Sequence, residues 1–304
     1  MTQGQSLLCS DLSKSVGEPL FGTAPQTETW LLLEYPFSYG AKALEESDLS
    51  DRIKSHLAAV QKFLPYPRLV LIKKSSEDIG KAIDFFLAFT NERQQRLYHL
   101  ELSSYDELLD VDFQSYRAAS PLVQDKLQPE PVFLVCTNGK RDRCCAKFGL
   151  PLYEAISGYM PAAVWQSSHV GGHRFAGNLV CLPHGIYYGR IPPEQGMRVI
   201  DAYRNRSIIL EYYRGRACYT PAQQAGEYYL RTHTGISDLD ELHLVETQSL
   251  DADHWMFVFQ NGLGKKYHLR IHRELSDFDI FDSCNTPEKR SQQSLYELQD
   301  IKES

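Results

Sequence analysis

Val132-Phe-Leu-Val135 is a continuous apolar run that ends at Cys136, and the order of elements after it decides the fold. A polar loop leads to Pro151, a residue suited to the first turn of a helix, here expected over 152–159. Ala163-Val-Trp165 reads as a second short strand. Leu179-Val-Cys-Leu182 and Ile186-Tyr-Tyr-Gly189 flank Pro183-His184-Gly185, a glycine-containing turn, and read as a hairpin. From Pro193 to Ile200 the chain continues into a helix.

The first half repeats this order. Trp30-Leu-Leu-Leu-Glu-Tyr35 has strand character, and 48–63 places Leu49, Ile53, His56, Leu57 and Val60 at helical spacing behind Ser47 and Asp48 as caps. Leu69-Val-Leu-Ile72 is a buried strand, and 84–89 and 97–102 form a hairpin through Asn91-Glu92-Arg93. A polar helix over 104–117 and a proline-punctuated stretch from Pro121 to Pro131 close the unit. Strand, helix, strand, hairpin and helix make a thioredoxin-like α/β layer. The expectation is an α/β protein of two thioredoxin-like units, a degenerate one over 1–128 and a site-bearing one over 129–275. Beyond residue 205, a helix from Tyr219 to Arg231 precedes strands at 242–245, 255–259 and 267–271, a small three-stranded β addition. The polar tail over 276–304, charged and rich in Gln and Ser from Asn285 on, reads as a surface helix or a frayed end.

The 304 residues are 42% apolar and 23% charged, which supplies two cores and excludes a wholly disordered chain. Lys plus Arg number 32 against 39 Asp plus Glu, a net charge of −7 that argues against nucleic acid or anionic lipid as the main partner. No apolar run approaches the ~20 residues of a membrane span. Asp11, Lys14 and Glu18 interrupt the N-terminal stretch where a secretory signal would be apolar. Seven scattered cysteines, an odd number, do not form a secreted disulfide framework. The expectation is a cytoplasmic chain whose thiols serve metal or redox chemistry.

Four such residues fall within one short window: Cys136, Cys145, His169 and His173. Both loops that carry them leave the carboxyl ends of adjacent parallel strands, where α/β sheets place ligands. Gly171 and Gly172 disfavour a helix through His169–His173 and allow a tight loop with both imidazoles turned inward. Two Cys and two His suit tetrahedral zinc or a two-iron cluster with two His on one iron. The eight residues between the thiols exceed the usual zinc-finger spacing, and Lys140, Arg141 and Arg143 among them suit an anionic centre. Thiol–disulfide exchange through Cys144 and Cys145 is a third reading, opposed by the absence of Cys-x-x-Cys and by the strain of a vicinal disulfide. Of the other candidates, Cys181 and Trp165 read as core and Cys218 as structural, while Cys9 and Cys284 lie in peripheral segments. His184 reads as a turn residue. Asp142 reads as a solvated loop charge or as a hydrogen-bond partner for a ligand histidine.

Cys136-Thr-Asn-Gly-Lys-Arg-Asp-Arg-Cys-Cys145 and Trp165-Gln-Ser-Ser-His-Val-Gly-Gly-His-Arg-Phe-Ala-Gly-Asn178 together resemble the sucrase/ferredoxin-like family. Leu182-Pro-His-Gly-Ile-Tyr-Tyr-Gly189, Arg214-Gly-Arg-Ala-Cys-Tyr-Thr-Pro221 and Phe21-Gly-Thr-Ala24 support the likeness, which spans roughly 9–270. The resemblance implies a thioredoxin-like ferredoxin half and a [2Fe–2S] cluster held by Cys136, Cys145, His169 and His173. Cys144 competes with Cys145, and the family spacing favours Cys145. The implied role is one-electron transfer or redox sensing between separate donor and acceptor proteins, which favours an electron carrier over a catalyst of its own reaction. The sucrase half of the family name has no counterpart here, because no pair of carboxylates stands out for glycoside hydrolysis.

Overall fold

The structure is a computed structural model and describes residues 7–74 and 82–304. Its centre is built on the two apolar runs. Strand β1 (Thr29–Glu34) and strand β5 (Val132–Cys136) are buried along their whole length, which places them inside a sheet covered on both faces. In the first half, helix α1 (Cys9–Ser15) precedes β1, and helix α2 (Asp51–Phe63) links β1 to β2 (Pro67–Lys73). The hairpin β3 (Ile83–Phe89) and β4 (Arg96–Leu102) follows, then the short helix α3 (Phe113–Arg117). After β5 come helix α4 (Arg143–Ser157), β6 (Val164–Ser167), the hairpin β7 (Leu179–Leu182) and β8 (Ile186–Tyr188), helix α5 (Gly196–Arg204) and β9 (Tyr213–Arg216).

A single nine-stranded sheet runs through both halves in the order β4-β3-β1-β2-β6-β5-β7-β8-β9. β1 and β2 are parallel, as are β5 and β6, and the halves meet where β2 and β6 pair antiparallel at Ile72–Ser167 and Lys73–Gln166. Strand alternation divides the core. Leu31 and Leu33 face α2, and Phe133 and Val135 face α4 and α5. Trp30, Leu32, Leu134, Cys136 and Trp165 face the other way and share one core that spans the junction.

Helix α6 (Pro221–Thr234) leads from β9 to a separate four-stranded sheet, β10 (Leu242–Ser249), β11 (His254–Asn261), β12 (Lys266–Phe281) and β13 (Arg290–Glu303), in that order. Thr220 and Gln223 form a reciprocal capping box at the start of α6.

Three expectations are corrected. The helix expected over 152–159 starts well upstream, because the Asp142 carboxylate caps it by accepting the Cys144 N–H, and Pro151 lies inside it. The polar helix over 104–117 is a 3₁₀ turn, Tyr105–Asp110, followed by α3, whose start is capped by Asp112. The tail is neither helical nor frayed. Tyr296, Leu298 and Ile301 pack against the core of the small sheet, with a register shift between the last two, so the addition has four strands.

Candidate metal centre

Register brings the sequence-predicted residues together. Cys136 ends β5 directly opposite Ser167 on parallel β6, two residues before His169. Cys145 lies in the first turn of α4, which returns across the end of β5. Gly149 permits that return, since a Cβ there would sit 2.0 Å from the Cys136 carbonyl oxygen. Neither partner in that contact is a flexible side chain. Gly149→Ala is therefore expected to lower the unfolding free energy by about 1–3 kcal/mol through overpacking. Urea titration reads this, and an unchanged midpoint would show that α4 does not rest on β5.

His169 Nδ1 lies 3.8 Å from Cys136 Sγ and 3.7 Å from Cys145 Sγ. These three donor atoms all fall within 4.8 Å of one another. The His173 ring stands beside that of His169, with centroids 5.0 Å apart. Its Nε2 is 4.0 Å from Asp142 Oδ2, and its Nδ1 is buried with no hydrogen-bond partner among the described residues. Both thiols are buried while both imidazoles are only partly so, and the histidine side is the outward one.

The electrostatics suit metal ligation. A hydrogen bond from Cys145, supported by His169, holds the Cys136 thiol well below its usual range against the opposing effect of burial. The same hydrogen bond, together with burial, pushes Cys145 up, so the pair parts with its first proton easily. Burial, reinforced by His169, lowers His173 below the ordinary imidazole range and favours the neutral ring, which has one nitrogen lone pair free, although Asp142 opposes this. Burial alone would raise Asp142. The N–H of Cys144, the His173 ring, the N–H of Cys284 and the Ser283 hydroxyl outweigh it and hold the carboxyl below its usual range.

The histidine loop is held by groups that the sequence reading left without a role. Tyr187 OH donates to the carbonyl of Val170 at 2.9 Å, Arg214 to that of Gly171 at 3.2 Å, and Asn178 to that of Gly172 at 2.9 Å. All three side chains are buried. Gly172 has φ +72°, and a Cβ there would meet the Arg214 guanidinium at 2.3 Å. An arginine in a mostly apolar stretch is the sequence signal that could have pointed to this clamp.

Other candidates resolve plainly. Asp142 is fully buried and not a solvated loop charge. Cys144 turns away from Cys145 toward Cys9 and Cys284, at 3.4 and 3.5 Å between sulfurs. Cys181 and Trp165 are core residues, and His184 is buried against the Tyr203 hydroxyl at 2.5 Å. Lys140, Arg141 and Arg143 are exposed around the centre. Among the described residues no helix is long and apolar enough to cross a membrane.

Three fungal proteins named Altered inheritance of mitochondria protein 32 are similar to this chain. The one from Meyerozyma guilliermondii is 26% identical over 49% of this chain and 55% of its own length. Those from Eremothecium gossypii and Debaryomyces hansenii are 28% and 33% identical over 32% and 28% of this chain, and 36% and 35% of their own lengths. The chain thus spans about half or less of these curated relatives. No solved structure matches it. A family match covers residues 20–215, well over half of the chain, and takes in both cysteines, both histidines and the three residues that clamp their loop. By that match the chain belongs to the sucrase/ferredoxin-like family.

Proposed function

We propose that Cys136, Cys145, His169 and His173 hold a [2Fe–2S] cluster, and that the chain carries single electrons or reports redox state. The observation behind this reading is the convergence of two buried sulfurs and His169 Nδ1, with the partnerless Nδ1 of His173 alongside. A buried nitrogen without a hydrogen bond is costly unless something else occupies its lone pair. Two thiolates and two neutral imidazoles are a donor set known for bis-histidine [2Fe–2S] centres, and such a cluster supplies a one-electron couple.

The chain's own residues have separate parts in this reading. Cys136 and Cys145 contribute the anionic donors from the dry side. His169 and His173 each offer Nδ1 from the outer side. Asp142 faces His173 Nε2 and orients the ring, as carboxylates do behind ligand histidines. Tyr187, Arg214 and Asn178 keep the loop from relaxing when the centre changes charge. His169 also borders a cleft of about 340 Å³ lined by Lys42, Leu44 and Arg141, and in this reading donor and acceptor proteins dock over its mouth. The partners of this reading are such proteins, not nucleic acid or membrane, and seven cysteines free of disulfides suit a reducing compartment such as the cytoplasm.

The two halves belong to the same reading. Each has a β-α-β unit with parallel strands followed by an antiparallel hairpin, and each half-sheet runs in the matching order, β4-β3-β1-β2 and β8-β7-β5-β6. We take them as two thioredoxin-like units that meet near residue 128, the second carrying the cluster.

Zinc at the same four residues is the rival, because Cys136, Cys145 and His169 are close enough to share one ion and the His173 ring stands beside them. Thiol exchange is disfavoured, since Cys144 and Cys145 are both buried and turned toward different groups. Anaerobic purification separates the readings. The expected protein is reddish-brown, with about two irons and two acid-labile sulfides per chain and a spin-resonance signal on reduction. Colourless protein with zinc bound to two sulfurs and two nitrogens would overturn the cluster.

A further inference from the structure

Behind the proposed cluster the structure gathers a second set of donors, none of which is a proposed ligand of the first. Cys9 of α1, Cys144 of α4 and Cys284, which follows β12, come from segments more than a hundred residues apart. Cys144 Sγ is 3.4 Å from Cys9 Sγ and 3.5 Å from Cys284 Sγ, and Cys9 Sγ is 3.7 Å from Asp142 Oδ1. The four donor atoms all lie within 4.8 Å of one another, and all four residues are buried.

We propose that Cys9, Cys144, Cys284 and Asp142 form a structural zinc site. The first argument is spacing. Sulfurs bound to one tetrahedral zinc at ~2.3 Å stand about 3.8 Å apart, close to the separations seen, whereas a disulfide holds them at about 2.0 Å. The second is number. Three thiols cannot all be satisfied by one disulfide, whereas a metal uses all three and takes Asp142 as the fourth donor. The third is the setting. Cys284 N–H and Ser283 OH donate to Asp142 Oδ2 at 2.7 and 2.9 Å, and Cys144 N–H donates to Oδ1 at 2.9 Å, which fixes the carboxylate with the remaining side of Oδ1 toward Cys9. A closed, buried set without a vacant position is that of a structural ion, not a catalytic one.

Such a site would pin the N-terminal helix and the C-terminal sheet to the turn that supplies Cys145. It would also explain why adjacent Cys144 and Cys145 coexist, each serving a different centre. The inference stands independently of the cluster, because zinc and iron are counted separately on one sample.

The test is element analysis and zinc X-ray absorption on the intact wild-type protein. The expected result is about one zinc per chain in a shell of three sulfurs and one oxygen at tetrahedral distances. Cys284→Ser is expected to lose at least nine-tenths of the zinc and to keep its iron, while Cys136→Ala does the reverse. Protein without zinc, a disulfide among these three cysteines, or zinc in a shell of two sulfurs and two nitrogens would each overturn the proposal. If Cys284→Ser fails to fold, the wild-type absorption shell decides.

Discussion

Cys136→Ala protein is expected to come through anaerobic purification colourless, with less than a tenth of the parent's iron and sulfide. The reason is the lack of any substitute donor. Cys136 sits fully buried at the end of β5, and Cys145 and His169 face it from α4 and from the loop after β6. The adjacent thiol in sequence, Cys144, is engaged with Cys9 and Cys284. Cys144→Ala should therefore keep its iron. His173→Cys should keep a cluster as well, but with a neutral donor exchanged for an anionic one its potential should fall toward the ~−400 mV of all-thiolate plant-type centres. Full iron in Cys136→Ala, or iron lost in Cys144→Ala from a protein that still unfolds cooperatively, would show the ligand set to be wrong.

The legible parts of this molecule are those written in local pattern. Trp30-Leu-Leu-Leu33 and Val132-Phe-Leu-Val135 read as strands because they are unbroken apolar runs, and both lie in strands buried along their whole length. The meeting of Cys136, Cys145 and His169 was legible because two strand ends in parallel register bring their loops together, and register follows from the order of elements. What stayed hidden depends on phase or on distance. Neighbouring residues on a helix point about 100° apart, so Cys144 and Cys145 part company only if the helix already includes them. Starting it at Pro151 left both in a loop, although Asp142 ahead of Arg-Cys-Cys-Ala is a cap signal in its own right. Cys9 and Cys284 carry no local hint, since their meeting depends on how α1 and the segment after β12 dock. The last strand was missed because it is half-exposed, with only every second or third residue touching the core.

Beyond the matched region, the largest stability effect is expected at Glu227. Glu227 of α6 is fully buried between two equally buried arginines, Arg216 at the end of β9 and Arg231 one turn along the helix. Its Oε1 accepts from Arg216 at 3.2 Å and from Arg231 at 3.0 Å, and its Oε2 accepts from Tyr213 OH at 2.6 Å. The arginines also donate to the carbonyls of Leu239 and Asp238, tying the helix to the loop that opens the small sheet. Glu227→Gln keeps the shape and removes the charge, which leaves two cations in a dry interior. Breaking such a set from one side costs about 3–5 kcal/mol, because the remaining charges lose their compensation. Acid acts on the same group. Burial opposes ionisation, but Arg216, Arg231 and the Tyr213 hydroxyl prevail and bring Glu227 down to about 2 from an ordinary value of 4.5. That difference is worth about 3 kcal/mol of stability, complete above the unfolded-state value and lost as pH falls from there through the folded-state value. The gap between wild type and Glu227→Gln in urea unfolding should thus be constant from neutrality down to about pH 5, then narrow with further acidification as the wild-type carboxylate takes up its proton. A gap below about 1 kcal/mol at neutral pH would mean that water or relaxation already screens the arginines, and that β9 and the small sheet are held together by apolar contact alone.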